Sequence, residues 1–161
     1  VTKEPDKTLD YMFYVILATI FILFHSLFAI AKVDGKSMDP TLTHNQFIMV
    51  SKTDKVDRFD IVILNEREVD AGPVKKVVKR VIGMPGDTVT VLNGELFIND
   101  KKYEEDYLDE KNIIKWKQTS FTIKVPKNHY FVMGDNRDIS KDSRMVGNFV
   151  DSAVVGVKMF E

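Results

Sequence analysis

The sequence predicts a mostly β fold, a compact antiparallel β-sheet or barrel-like domain preceded by one N-terminal transmembrane helix. An apolar run covers residues 11–31, and beyond it short runs of β-branched and aromatic residues alternate with Gly, Pro and Asn turns. The 161 residues leave room for one domain besides the helix. We therefore expect an N-terminal flank (1–10), a membrane anchor (11–31) and a β-rich domain (32–161).

The apolar run is predicted to be a helix that crosses a lipid bilayer. An α-helix over residues 11–31 would span about 30 Å, the thickness of the hydrocarbon core. The alternatives are a buried core helix and a cleaved signal sequence. The ten preceding residues mix lysines with acidic residues, unlike the basic start of a signal sequence, which favours an anchor. Lysines on both sides of the run leave its orientation open.

The predicted strands cover residues 46–51, 59–64, 74–82, 88–92, 95–98, 121–125, 129–133 and 153–160. Asn93 and Gly94 join two of them and predict a type I′ hairpin, because both turn positions require positive φ. Residues 83–87 (GMPGD) predict the turn that precedes this hairpin. Residues 101–117 are charged and show no periodicity, which indicates an exposed loop or a short excursion of the chain.

Composition excludes several kinds of function. The chain has no cysteine, so it has neither a disulfide scaffold, nor a cysteine nucleophile, nor a thiolate zinc site. A net charge of −1 without a basic block gives no reason to expect nucleic acid as a partner. His25, His44 and His129 stand alone, without the spacing of a zinc site. We therefore expect no metal and no cofactor, and a Ser-His-Asp triad is disfavoured.

Ser37 and Lys79 are the candidate nucleophile and base. Ser37 lies in a turn bracketed by glycine and proline (residues 35–42, GKSMDPTL) that follows the apolar run closely. Strand alternation places Lys79 on one face with Val77 and Val81, an apolar environment that lowers the pKa of an amine. The alternative is that Ser37 is an ordinary surface serine and that the amine of Lys79 extends to solvent from an amphipathic strand.

The third candidate region is the polar cluster of residues 134–144 (GDNRDISKDSR), which follows a predicted strand. Acids and arginines at this density form either a solvated turn or a rigid loop of ion pairs. In the second case the loop would position a hydroxyl group on the base.

Three motif blocks in this order, after one N-terminal span, resemble bacterial type I signal peptidases, the membrane-anchored Ser/Lys proteases. The blocks are residues 35–42, 78–87 and 134–144, and the resemblance covers residues 10–160. It implies that Ser37 is the nucleophile and Lys79 the general base. It also implies that Ser140 hydrogen-bonds the lysine and that Asp142 and Arg144 brace the site.

The resemblance further implies a single-pass protein of the plasma membrane whose catalytic domain is extracytoplasmic. Its partners would be the lipid bilayer and the signal peptides of secretory pre-proteins, cut after small residues (Ala-x-Ala) through an acyl-enzyme. The backbone N–H of Ser37 would bind the oxyanion. The residues expected to bind the extended substrate are Val33, Asp34, Gly35, Met38, Leu42, Val77 and Val78.

The chain departs from proteobacterial members of that family in two places. Gly35 stands where they carry a serine, and only 46 residues separate Asp87 from Gly134, so their large inserted domain is missing. Both departures fit the short Gram-positive form. Two rivals remain: a self-cleaving repressor-type Ser/Lys protease, which has no membrane span, and a pilus or surface-protein assembly factor that does not cut. The presence of both Ser37 and Lys79 favours an active enzyme.

Overall fold

The structure, a computed structural model, describes residues 7–66 and 74–160. Helix α1 (Lys7–Leu27) is followed by strands β1 (Phe28–Lys32), β2 (Phe47–Ser51), β3 (Ile61–Glu66), β4 (Lys75–Gly83), β5 (Thr88–Leu92), β6 (Glu95–Ile98), β7 (Lys101–Tyr103), β8 (Phe121–Lys124), β9 (His129–Met133), β10 (Phe149–Val150) and β11 (Val154–Lys158). A short helix α2 (Ser143–Val146) lies between β9 and β10. The mostly β fold with one N-terminal apolar helix is thus confirmed. Residues 1–6 of the predicted flank lie outside the described residues.

Helix α1 is long and apolar enough to cross a membrane. Its segment Asp10–Leu27 has a mean hydropathy of 1.7, and none of it is buried against the rest of the protein. The hydroxyl groups of Thr19 and Ser26 donate to backbone carbonyls one turn earlier, which keeps these polar groups off the apolar surface. The helix ends at Leu27, so residues 28–31 of the predicted span belong to strand β1, where pairing with β2 satisfies their backbone.

The strands form two antiparallel sheets. The larger sheet has the order β1-β2-β11-β3-β4-β9-β10, and the smaller has the order β7-β6-β5-β8. The hairpin between β5 and β6 turns at Asn93 and Gly94, whose φ angles of 50° and 79° confirm the predicted positive-φ turn.

Strand β4 contributes to all three clusters of the core. Ile82 packs in the cluster that joins the two sheets, and Val78 packs beside the cluster that contains Met38. Val81 and Val77 pack with the third cluster, around Leu64. Because β4 is enclosed by apolar groups, any ionisable side chain at its centre must either find a partner or lose its charge.

The region 101–117 is mostly exposed or half-buried, but it contains more regular structure than the loop predicted for it. It contains strand β7 and two 3-10 turns, Glu110–Asn112 and Trp116–Gln118, and Trp116 is only 2% exposed. The carboxylate of Asp138 accepts hydrogen bonds from the backbone N–H groups of Lys115 and Trp116. A single side chain of a loop without periodicity can therefore be buried, because a distant carboxylate satisfies the backbone N–H groups beside it.

The hairpin glycine offers a test of the fold. At Gly94 an added Cβ would lie 2.9 Å from Lys117 Cα and from the Trp116 carbonyl oxygen, and φ is +79°. Gly94→Ala should therefore lower the free energy of unfolding by about 3 kcal/mol, combining left-handed strain with the overlap. Gly86→Ala is the matched control: φ is +89° but the space is open, so about 1 kcal/mol is expected. Urea unfolding in detergent micelles measures both, and equal losses would contradict the packing argument.

Candidate active site

Ser37 and Lys79 are in direct contact. The Lys79 Nζ lies 2.8 Å from Ser37 Oγ and 3.0 Å from the carbonyl oxygen of Val78. Lys79 is 4% exposed, whereas Ser37 is partly open to solvent. A buried amine beside an accessible hydroxyl group is an arrangement that can activate the hydroxyl as a nucleophile.

Burial lowers the pKa of the Lys79 amine below its ordinary value. The nearby carboxylates of Asp142 and Glu66 act in the opposite direction, because they favour the charged ammonium. Each of these carboxylates is paired with a cation of its own, Asp142 with Arg144 at 2.7 Å and Glu66 with Lys141 at 3.2 Å. Desolvation therefore dominates and favours the neutral amine, the form whose lone pair can accept a proton.

The Ser37 turn is fixed by backbone contacts. The N–H of Asn136 donates to the Ser37 carbonyl at 3.0 Å, and the N–H of Gly35 donates to His44 Nδ1 at 3.0 Å. A Cβ on Gly134 would overlap both the Ser37 carbonyl and Ser140 Oγ, so only glycine allows this close approach. His44, isolated in the sequence, thus braces the turn that carries Ser37.

Asp135 connects the three motif blocks. Its fully buried carboxylate accepts bidentate hydrogen bonds from Arg80, at 2.9 Å from Nε and 2.7 Å from Nη2. It also accepts a hydrogen bond from the Thr41 hydroxyl group. The sequence analysis included these residues in the motif blocks but assigned them no role. The signal for the ion pair was an arginine next to Lys79 and an acidic residue in the polar cluster.

Asp142 and Arg144 form the expected ion pair beside the site. Burial alone would raise the pKa of Asp142, but hydrogen bonds from Arg144 and from the Gly134 N–H hold that pKa below its ordinary value. Ser140 differs from its expected role, because no hydrogen bond joins it to Lys79. Its Oγ is buried close to Asp142 and contributes to that carboxyl's low pKa, yet no partner among the described residues meets ordinary hydrogen-bond geometry.

A groove with a volume of about 570 Å³ leads to Ser37 and is open at its rim. Its lining includes six of the seven residues expected to bind substrate, namely Val33, Asp34, Gly35, Met38, Val77 and Val78. Leu42 does not line it; the side chain is 1% exposed and packs in the core with Met38. Within the described residues no acceptor engages the Ser37 N–H, so this donor is available to a ligand in the groove.

A second buried network was not apparent from the sequence. Arg137 donates to the Glu105 carboxylate at 2.6 Å and 3.0 Å, and the Tyr107 hydroxyl group donates to the same carboxylate at 2.6 Å. Burial raises the pKa of Tyr107, whose ring also stacks 3.9 Å from the Arg80 guanidinium carbon. The segment after β7 therefore packs against one side of the polar loop formed by residues 134–144. Among the described residues no group of His, Asp and Glu could hold a metal ion.

Comparison with known proteins gives a consistent assignment. A family model described as signal peptidase, peptidase S26, matches residues 7–161. Signal peptidase I of Bacillus amyloliquefaciens is 40% identical, over 99% of this chain and 90% of its own length. Signal peptidase I of Streptococcus pneumoniae serotype 4 is 35% identical, over 88% of this chain and 89% of its own length.

A solved structure agrees with these relatives. The crystal structure of a signal peptidase I from Enterococcus faecalis V583 is 32% identical in sequence, with a TM-score of 0.52. The match covers 65% of this chain and 97% of that one. The resemblance drawn from the three motif blocks is thus confirmed. The chain belongs to the signal peptidase I family, peptidase S26, the serine peptidases that act on the signal peptides of pre-proteins.

Proposed function

We propose that Ser37 is the nucleophile and Lys79 the general base of signal peptide cleavage by this chain. The observation that carries the proposal is the 2.8 Å contact between Lys79 Nζ and Ser37 Oγ at the end of the groove. The neutral amine takes the hydroxyl proton as Ser37 Oγ attacks the scissile carbonyl carbon. The ammonium then gives that proton to the departing amine of the mature protein, leaving an acyl-enzyme. Lys79 next takes a proton from water, whose oxygen attacks the ester carbonyl carbon. The ammonium then returns that proton to Ser37 Oγ as the bond to the signal peptide breaks.

The Ser37 N–H is the proposed donor to the oxyanion. It points from the same residue as the attacking oxygen and has no acceptor among the described residues. The N–H of Gly35 is an unsuitable second donor, because it already donates to His44. The hydroxyl group supplied at position 35 by a serine in proteobacterial members is absent here, so the backbone carries this role.

The substrate lies extended in the groove and cleavage follows small residues. The groove has two walls, which are the backbone flanking Val33 and the half-buried part of β4 at Val77 and Val78. A peptide can therefore add as a strand between them. Branched side chains on these walls leave little depth for the substrate residues that point into them. An Ala-x-Ala sequence before the cut is the pattern that fits.

Helix α1 is the proposed membrane anchor, with the β-rich domain on the extracytoplasmic side, where secreted pre-proteins emerge. Its apolar segment of 18 residues spans about 27 Å as an α-helix. Strand β1 begins at the residue after Leu27, and the ten residues from there to Ser37 reach at most about 35 Å. This tether keeps Ser37 near the membrane surface, at the height where a signal peptide presents its cut site.

Removal of either dyad member should abolish cleavage. Ser37→Ala and Lys79→Ala are each expected to lower kcat/KM by about 10³-fold or more, since one lacks the nucleophile and the other the base. Cleavage of a synthetic signal peptide, followed by mass spectrometry, measures this. Ser152→Ala, on an exposed 3-10 turn, is the matched control and should cleave like the wild type. Wild-type turnover by Lys79→Ala would rule out the dyad.

The pH dependence should report the Lys79 amine. Because only the neutral amine accepts a proton, kcat/KM should rise with pH through the lowered pKa of Lys79 and level off above it. Lys79→Arg keeps a permanently charged side chain and should be inactive across the whole range. A wild-type profile in Lys79→Arg would assign the acid limb to another group.

Side-chain size before the cut should decide cleavage. Replacing the alanine next to the scissile bond by leucine in the synthetic peptide should reduce kcat/KM by about 100-fold or more, because the pocket cannot accept a branched chain. The same replacement at the residue between the two alanines should have a much smaller effect, since that side chain points away from the walls. Equal effects at both positions would contradict an extended substrate.

A further inference from the structure

The ion pair between Glu66 and Lys141 lies beside the dyad and has no part in the mechanism described above. Its N–O distance is 3.2 Å, and the Glu66 side chain is 10% exposed while that of Lys141 is 54% exposed. A nearly buried carboxylate with an exposed cation as its partner is an unusual surface pair. The pair therefore lies where it can influence the Lys79 amine.

The pair crosses the strand that carries Lys79. Glu66 ends β3, on the same face as Val62, which is the register partner of Lys79 on β4. Lys141 comes from the loop after β9, the neighbour of β4 on its other side. Glu66, Lys79 and Lys141 all line the groove that leads to Ser37. Lys141 thus reaches over β4 to the far carboxylate.

An anion in this position opposes the chemistry of the site. The Glu66 carboxylate favours the charged form of Lys79, and so acts against the burial that lowers the pKa of the amine. A carboxylate with a cation in contact exerts a smaller field, because the two charges nearly cancel at a distance. Lys141 is the cation that provides this cancellation.

Two other carboxylates face Lys79, and each is paired with a cation: Asp142 with Arg144 and Asp135 with Arg80. Lys75 also faces Lys79 and lowers the pKa of the amine. Every carboxylate that acts on the amine within the described residues therefore has a cation in contact. Of the three cations that do this, only Lys141 is largely exposed, so it can be substituted without a cavity being left at its own position.

We propose that Lys141 is a positioning residue for the dyad. By holding Glu66 in an ion pair, it prevents that carboxylate from stabilising the protonated form of Lys79. The inference rests on the proposed function, in which neutral Lys79 is the base. It assigns the lysine of the third motif block a role in catalysis that acts through Glu66.

The first measurement is the pH profile of kcat/KM for Lys141→Met, with the full chain in detergent micelles and a synthetic signal peptide. The acid limb should move to higher pH, so that the rate at a fixed pH on that limb falls about threefold. Lys141→Arg keeps the ion pair and should keep the wild-type midpoint. Lys127→Met removes the same charge from the turn before β9, at the far end of that strand, and should not move the midpoint.

The second measurement tests the dependence on Glu66. Glu66→Gln should move the acid limb to lower pH, and adding Lys141→Met in that background should cause no further movement. A shift by Lys141→Met of the same size with and without Glu66 would overturn the proposal, as would wild-type midpoints in both single variants. These outcomes differ from failure of the dyad, which would appear as cleavage by Lys79→Ala.

Discussion

The buried pair between Arg80 and Asp135 is the constraint on which the site depends. Asp135 is fully buried and is tolerable there only because Arg80 and Thr41 satisfy it. Successive residues of a strand point to opposite faces, so directing Arg80 to Asp135 directs Lys79 to the other face of β4. The same carboxylate holds Thr41, four residues after Ser37. One ion pair thus aligns Lys79, Ser37 and the polar loop of residues 134–144.

The chemistry depends on a balance between desolvation and charge pairing. Burial in a sheet rich in valine removes water from the Lys79 amine, whereas the carboxylates around it would restore its charge if they were unpaired. Their pairing with Arg144, Arg80 and Lys141 lets desolvation prevail. At a pH between the lowered pKa of Lys79 in the folded chain and its ordinary pKa in the unfolded chain, the arrangement lowers stability, because there the unfolded chain binds a proton that the folded chain does not hold. Such a loss of stability at a functional site is a common compromise in enzymes.

No residue separates the end of helix α1 from the start of strand β1. Strand β1 begins directly after α1, and Lys52 on the chain leaving β2 secures the junction. Its N–H donates to the Leu27 carbonyl at 2.8 Å and its Nζ donates to the His25 carbonyl at 2.7 Å. These bonds satisfy carbonyls that the end of a helix leaves free. These bonds attach the end of the helix to the residue that follows strand β2 of the larger sheet.

The sequence by itself determined the apolar helix, the alternating strands and the Asn93–Gly94 turn, because periodicity and residue type are local properties. Its motif blocks also named Ser37 and Lys79 as the candidate nucleophile and base. It failed for Trp116, which is buried within an otherwise accessible aperiodic segment whose backbone donates hydrogen bonds to Asp138. Only the tertiary structure decided which charges meet. Ser37 and Lys79 are 42 positions apart and Thr41 and Asp135 are 94 apart, so no local pattern encodes their contact. The pKa of a buried amine depends on those distant groups, and it therefore follows from packing and not from the residues beside it.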